Sequence, residues 1–245
     1  MRNGLRLLVL AGSVEARRMA QAALERGAEV RAVVSEPPRG PNPMPVPCDL
    51  ISLDDPSAVA QAVSQADAVL DASHGFDAQM SALGFRAACA AGKPFLSYQR
   101  PAWDVLCDFK MRATASVEAA MTAIRPGARV FSACGWASLP ACAPFPGEVL
   151  FLRQTSPHDR PAPYPFVSLV FGDPPFDLQT ERTLFEELQV DTLLCRNLGG
   201  IASRPKVDAA LARGMDIILV ERPALPTGAR VVSDTEAALD WVAGL

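Results

Sequence analysis

The chain has 245 residues, 49% of them hydrophobic and 20% charged, with a formal net charge of −4. That length suits one large domain or two small ones, and the balance excludes wholesale disorder. The acidic sum argues against nucleic-acid binding, which needs a basic stripe or patch. Six cysteines (Cys48, Cys89, Cys107, Cys134, Cys142 and Cys195) form no C-x-x-C pair and only two histidines accompany them, so no metal site is expected. No apolar run is long enough to span a membrane, and the N-terminal run is too short for a secretory signal. The expectation is a reduced, cytoplasmic protein with no membrane and no nucleic-acid partner.

In chain order, the apolar run 5–10 predicts a buried strand, Ala11-Gly12-Ser13 a tight turn, and 15–27 a helix stopped by glycine. Residues 29–34 then predict a second strand, completing a βαβ unit and implying a parallel sheet. Residues 35–48 read as a Pro-rich irregular loop. A helix is predicted at 54–66, a strand at 68–72, a helix at 77–91 and a strand at 94–98. Arg100-Pro101-Ala102 marks a candidate boundary. Beyond it come a helix at 116–124, strands at 128–133 and 147–153, a polar loop at 155–165 and a strand at 166–171. The chain continues with a helix at 178–188, a strand at 192–196, a helix at 204–213, strands at 216–220 and 230–232, and a helix at 235–242.

This alternation predicts an α/β fold of two Rossmann-like, doubly wound parallel-sheet domains with a cleft between them, divided at 1–99 and 100–245. Laying residues 7–33 over 194–220 gives nine identities in 27 positions, among them Gly12 with Gly199, Arg17 with Arg204 and Gly27 with Gly214. Shared βαβ grammar accounts for part of that, so the repeat says only that each half carries a strand–glycine turn–helix–strand unit.

Several residues stand where chemistry would sit. Gly12 occupies the place of a dinucleotide fingerprint between strand and helix, yet G-x-G-x-x-G is absent; a phosphate-binding turn and a simple tight turn both remain open. No acid ends the second strand; Ser35 and Arg39 there suit a 2′-phosphate, while Glu36 keeps a free ribose in play. His74 follows a strand and precedes a helix, either a site residue at the carboxyl edge or a structural histidine. His158 lies in a polar loop and reads as surface. From Arg196 to Arg213 four cations face one carboxylate, Asp208, beside the Gly199-Gly200 turn. Ser203 there is a candidate N-cap, with Pro205 in the first turn. The alternatives are a solvated helix face and an anion site. The cysteines have no evident His or Asp partner, so a cysteine nucleophile is not expected.

Taken together, these segments resemble the precorrin-6A reductase family. LLVLAGSVEARRMA (7–20) is similar to its strand–GGTxEA–helix, DASHGFDAQMS (71–81) to DATHPFAxxxS and SYQRPAW (97–103) to YxRPxW. GDPPFDLQTE (172–181) and RNLGGIASRPKVDAA (196–210), followed by VERP at 220–223, match its remaining signatures in order. Departures are Ala11 for a glycine, Gly75 for a proline, Arg196 for a lysine, Leu198 for a serine, and Ala133-Cys134-Gly135 for a TTG turn. The resemblance implies an NADPH-dependent oxidoreductase acting on a CH–CH bond, reducing a ring double bond of the tetrapyrrole precorrin-6A to give precorrin-6B in cobalamin biosynthesis. Residues 1–99 would bind the dinucleotide and 100–245 the substrate. Carried over by position, Gly12, Ser13, Glu15 and Ala16 would hold NADPH, joined by Ser35, Arg39 and Ser73. Arg100, Asn197, Gly199, Gly200, Ser203 and Lys206 would hold the macrocycle, joined by Arg196 and Arg204 on the charge of the basic window. His74 and Tyr98 are candidate proton donors, with bulk water the alternative. A non-catalytic NADP-sensing or regulatory protein and a nucleotide-binding transferase are the competing readings.

Overall fold

The computed structural model describes residues 4–37, 42–105 and 110–245. Two compact units are present: residues 1–100 with 223–245, and residues 101–222.

The first unit holds β1 (Arg6–Ala11), α1 (Val14–Glu25), β2 (Glu29–Val34), β3 (Cys48–Leu50), α2 (Pro56–Ser64), β4 (Ala68–Ala72), α3 (Ala78–Ala90) and β5 (Phe95–Tyr98). Its sheet is completed late in the chain by β12 (Arg230–Val232), which pairs in parallel with β5 and leads into α7 (Thr235–Ala243). The strand order is β12-β5-β4-β1-β2-β3 with every pair parallel, the order of a dinucleotide-binding Rossmann sheet. The unbroken apolar run of β1 follows from burial on both faces. Leu7 and Val9 pack with Met19 of α1 and Leu239 of α7, while Leu8 and Leu10 pack with Val59 and Val63 of α2 and Met80 of α3.

The second unit holds β6 (Met111–Thr114), α4 (Val117–Ala123), β7 (Arg129–Ala133), a 3-10 helix (Trp136–Cys142), β8 (Val149–Gln154), β9 (Val167–Phe171), α5 (Leu178–Glu187), β10 (Thr192–Arg196), α6 (Pro205–Ala212) and β11 (Asp216–Val220). Its sheet, again all parallel, runs β6-β11-β10-β7-β8-β9. Phe131, Phe151, Phe185, Leu193 and Val207 fill one face.

Three expectations are corrected. The division at 99/100 fails at the far end, because β12 docks on β5 and α7 buries Ala238, Leu239 and Val242 in the first unit's core. The loop 35–48 ends in β3, and β6 was missed altogether. Both are short edge strands, and β3 is largely exposed, so neither carries an apolar run. The repeat of 7–33 on 194–220 corresponds to β1-α1-β2 and β10-α6-β11, adjacent parallel pairs whose helices end alike on an arginine C-cap and a left-handed glycine, Gly27 or Gly214.

Candidate functional site

In the first sheet the winding reverses between β1 and β4, so the turns after those strands form the crevice where Rossmann ligands sit. Gly12 follows β1, and a Cβ built on it would lie 2.4 Å from the backbone nitrogen of His74 and 3.1 Å from the carbonyl carbon of Ser73. Glycine is required there because the two turns close on one another. Ser13 caps α1, its hydroxyl accepting from the Ala16 N–H at 3.1 Å and donating to the Ala72 carbonyl at 2.9 Å. Ala16 is fully buried with its N–H engaged by that cap, so it shapes the packing of the turn and offers a ligand no open donor.

Glu15, in the first turn of α1, and Arg100, expected on different ligands, hold each other. Arg100 Nε donates to Glu15 Oε1 at 2.8 Å and Nη2 donates to Oε2, a two-pronged pair about four-fifths buried. Burial pushes the Glu15 carboxyl up, but the Arg100 hydrogen bond and charge outweigh it and hold Glu15 below the usual range. The pair removes a negative charge from the positive end of α1, where an anionic ligand would otherwise meet repulsion.

Ser73 and Ser35 are both engaged. Ser73 donates its N–H and hydroxyl to Asp71, at 3.2 and 2.7 Å, and Ser35 donates to Asp77, the residue that caps α3 through the Met80 N–H. Arg39 lies outside the described residues. His74 is half-buried, its Nδ1 accepting from the Phe76 N–H at 3.3 Å. Tyr98 is 9% exposed at the end of β5, and burial together with Glu15 pushes its phenol up. Its phenol is therefore a poorer proton donor than an exposed tyrosine's. One residue that sequence reasoning missed is Asp71, 1% exposed beneath this edge. Its only signal was an acid inside an otherwise apolar strand. A cavity of about 470 Å³ lined by Arg6, Arg31 and Asp49 of β1 to β3 and Gln61 of α2 shares no residue with the Gly12 and Ser73–His74 turns.

The second sheet reverses between β7 and β10, and the candidate substrate residues follow β10. Gly199 and Gly200 have φ of 65° and 69°, a left-handed pair that a side chain would strain. Asn197, 5% exposed, accepts from the Trp103 N–H at 2.8 Å and donates to the Trp103 carbonyl at 3.0 Å, while Trp103 Nε1 donates to the Gly200 carbonyl at 2.9 Å. Asn197 is thus a tether for Trp103 rather than an open donor. Trp103, which sequence analysis did not single out, fixes the glycine turn. Helix α6 begins at Pro205, with Arg204 and not Ser203 at the N-cap position and no side-chain cap.

The basic window is split by α6: Arg213 lies at its far end, while Arg204 and Lys206 are engaged at its start. Arg204 Nε donates to Asp208 at 2.6 Å beside the Trp103 ring, and Lys206 Nζ donates to the Ser203 carbonyl at 2.7 Å. Burial pulls the Lys206 ammonium below the ordinary lysine range, opposed by Cys195 and Glu181. Arg196 stands half-buried at the end of β10, while Arg213 caps the far end of α6. His158, expected on the surface, is half-buried between the rings of Trp136 and Phe171, at 4.9 and 5.4 Å. Arg153 pairs with Glu181 at 2.9 Å, 8% and 2% exposed, between the rings of Phe131 and Phe176. Burial pushes the Cys134 thiol up to about 12 and Cys142 and Cys195 to about 11, which makes them inert as nucleophiles near neutrality. Among the described residues, no helix is long and apolar enough to cross a membrane and no cluster could hold a metal.

The family model "Precorrin-6x reductase CbiJ/CobK" matches residues 6–243. A precorrin-6A reductase of Mycobacterium tuberculosis is 31% identical over 98% of both chains, and one of Rhodococcus erythropolis is 32% identical over 98% of both. A solved structure described as CobK precorrin-6A reductase superposes with a TM-score of 0.87 at 27% identity, covering 98% of this chain and 97% of that one. With the doubly wound order of both sheets and the segments around Gly12, His74 and Gly199 already in place, the chain belongs to the precorrin-6x reductase family of cobalamin biosynthesis.

Proposed function

We propose that the chain reduces one ring double bond of precorrin-6A with NADPH, giving precorrin-6B. The observation that carries this is the first sheet's switch point, where Gly12 lets the turn after β1 meet the Ser73–His74 turn beside a helix N-terminus whose own acid is neutralised by Arg100. That arrangement fits a dinucleotide: Gly12 and Ser13 would lie along its pyrophosphate, with Ser73 and His74 opposite. When bound, the nicotinamide supplies the hydride, which needs no protein nucleophile. The protein's part is to bind, orient and deliver a proton, for which His74, in the turn beside Gly12, is the assigned donor.

In the second unit the glycine pair, Arg196 and the start of α6 with Ser203, Arg204 and Lys206 offer donors and positive charge to the macrocycle's carboxylates. Preference for NADPH rests on Ser35 and Arg39; Asp77, which accepts from Ser35, opposes it. Anaerobic incubation with precorrin-6A should consume NADPH in step with the change in macrocycle absorbance, faster than NADH. NADPH that binds without being consumed would reduce the chain to a sensor, and equal kcat/KM for the two dinucleotides would remove the assigned preference.

A further inference from the structure

Asp71 is the fourth residue of β4, with Leu10 and Ser97 as its register neighbours in the two flanking strands. It is 1% exposed, and it appears in none of the ion pairs among the described residues. Its partners are neutral donors. Ser73 gives Oδ1 both its N–H and its hydroxyl, Ser97 gives Oδ2 a hydroxyl at 2.9 Å, and Ser81 from the first turn of α3 meets the Ser73 hydroxyl at 3.1 Å. A carboxylate taken out of water with only hydroxyls and an amide around it costs solvation energy that a neutral residue would not. Burial accordingly pushes its carboxyl above the usual range, against the pull of those hydrogen bonds.

What the charge does is fix the turn above it. Of four consecutive residues, Asp71 lies in the serine cage, Ala72 accepts from Ser13, Ser73 is held at two atoms by Asp71, and His74 abuts Gly12. We propose that Asp71 is a positioning residue for the reduction: its caged carboxylate sets the direction of the Ser73–His74 turn at the mouth of the crevice. This rests on the reading that the same crevice takes the dinucleotide. Asp71→Asn keeps the shape and one acceptor oxygen but puts an amide where an acceptor stood, so the Ser73 and Ser97 hydroxyls cannot both be held as before.

The test compares wild-type protein with Asp71→Asn, Ser97→Ala and Ser81→Ala for thermal midpoint, NADPH dissociation constant, and kcat and KM with precorrin-6A. For Asp71→Asn the expected result is a midpoint at neutral pH equal to or above wild type, with the NADPH dissociation constant and the precorrin-6A KM each within about threefold. Its kcat should fall about ten- to a hundredfold, as a small misplacement of reacting groups costs. The serine variants should lose kcat in the same direction to a smaller degree. A kcat within twofold of wild type in Asp71→Asn overturns the proposal, as does a loss of activity that merely follows a lowered midpoint. If Asp71→Asn does not fold, wild-type kcat in both serine variants overturns it equally. A wild-type protein that binds NADPH but does not turn over removes the functional reading, and Asp71's role with it.

Discussion

Gly12→Ala should act through the protein before it acts through any ligand. The added Cβ would lie 2.4 Å from the backbone nitrogen of His74 and 3.2 Å from its Cβ. Restoring ordinary contact requires the two turns to part by about 1 Å, and neither is free to swing. The turn after β1 is tied by Ser13 to Ala72, and the turn after β4 is tied by Ser73 to Asp71. Overpacking of this kind typically costs about 1–3 kcal/mol. If the turns stay together, that sum appears as lost unfolding free energy; if they part, it appears as weaker dinucleotide binding, where about 1.4 kcal/mol is tenfold. Urea denaturation and NADPH titration of the same preparation read both. A variant with wild-type stability and wild-type affinity would refute the steric argument. Gly12→Val should fail more severely in the same way.

Removing Arg100 as Arg100→Ala should lower stability by about 1–2 kcal/mol at neutral pH, because the mostly buried Glu15 carboxylate loses its two-pronged partner, and weaken NADPH several-fold, because that charge then stands uncompensated where an anion would bind. Since the Glu15 carboxyl is held below its ordinary value, the pair's contribution is present above pH 4.5 and is lost as pH falls through the folded value. The gap between variant and wild type should therefore narrow in acid. Asn197→Ala removes both buried hydrogen bonds to Trp103 and should cost about 2–3 kcal/mol, with a change in Trp103 fluorescence on titrating denaturant. Glu181→Ala strands the Arg153 guanidinium between Phe131 and Phe176 and should cost about 3–5 kcal/mol in urea denaturation, much of it recovered by the double change Arg153→Met with Glu181→Leu.

The fold class was legible because β1, β4, β10 and β11 are apolar on both faces, which only a sheet covered on each side demands. The return of β12 to the first sheet was not, since a three-residue, largely exposed strand carries no mark of its partner. Site residues fared similarly. Gly12 and the Gly199-Gly200 pair stand where strand–turn–helix patterning puts them, because backbone geometry is written in local sequence. The availability of side chains is not. Ser13, Ser35, Ser73 and Asn197 look like open donors in sequence, and each is held by a residue or backbone group that the fold brings to it. Charge counting over residues 196–213 likewise summed cations at both ends of α6. Asp71 and Arg153 show the converse, each being a charge inside a strand whose meaning depends on what surrounds it.

The central claim, hydride transfer from the nicotinamide to the macrocycle, is tested most directly with NADPH carrying deuterium at the transferable position. Anaerobic turnover with precorrin-6A, followed by mass spectrometry of the product, should show one deuterium gained per macrocycle and one NADPH consumed. A product with no deuterium, or a macrocycle unchanged while NADPH stays bound and reduced, would contradict it.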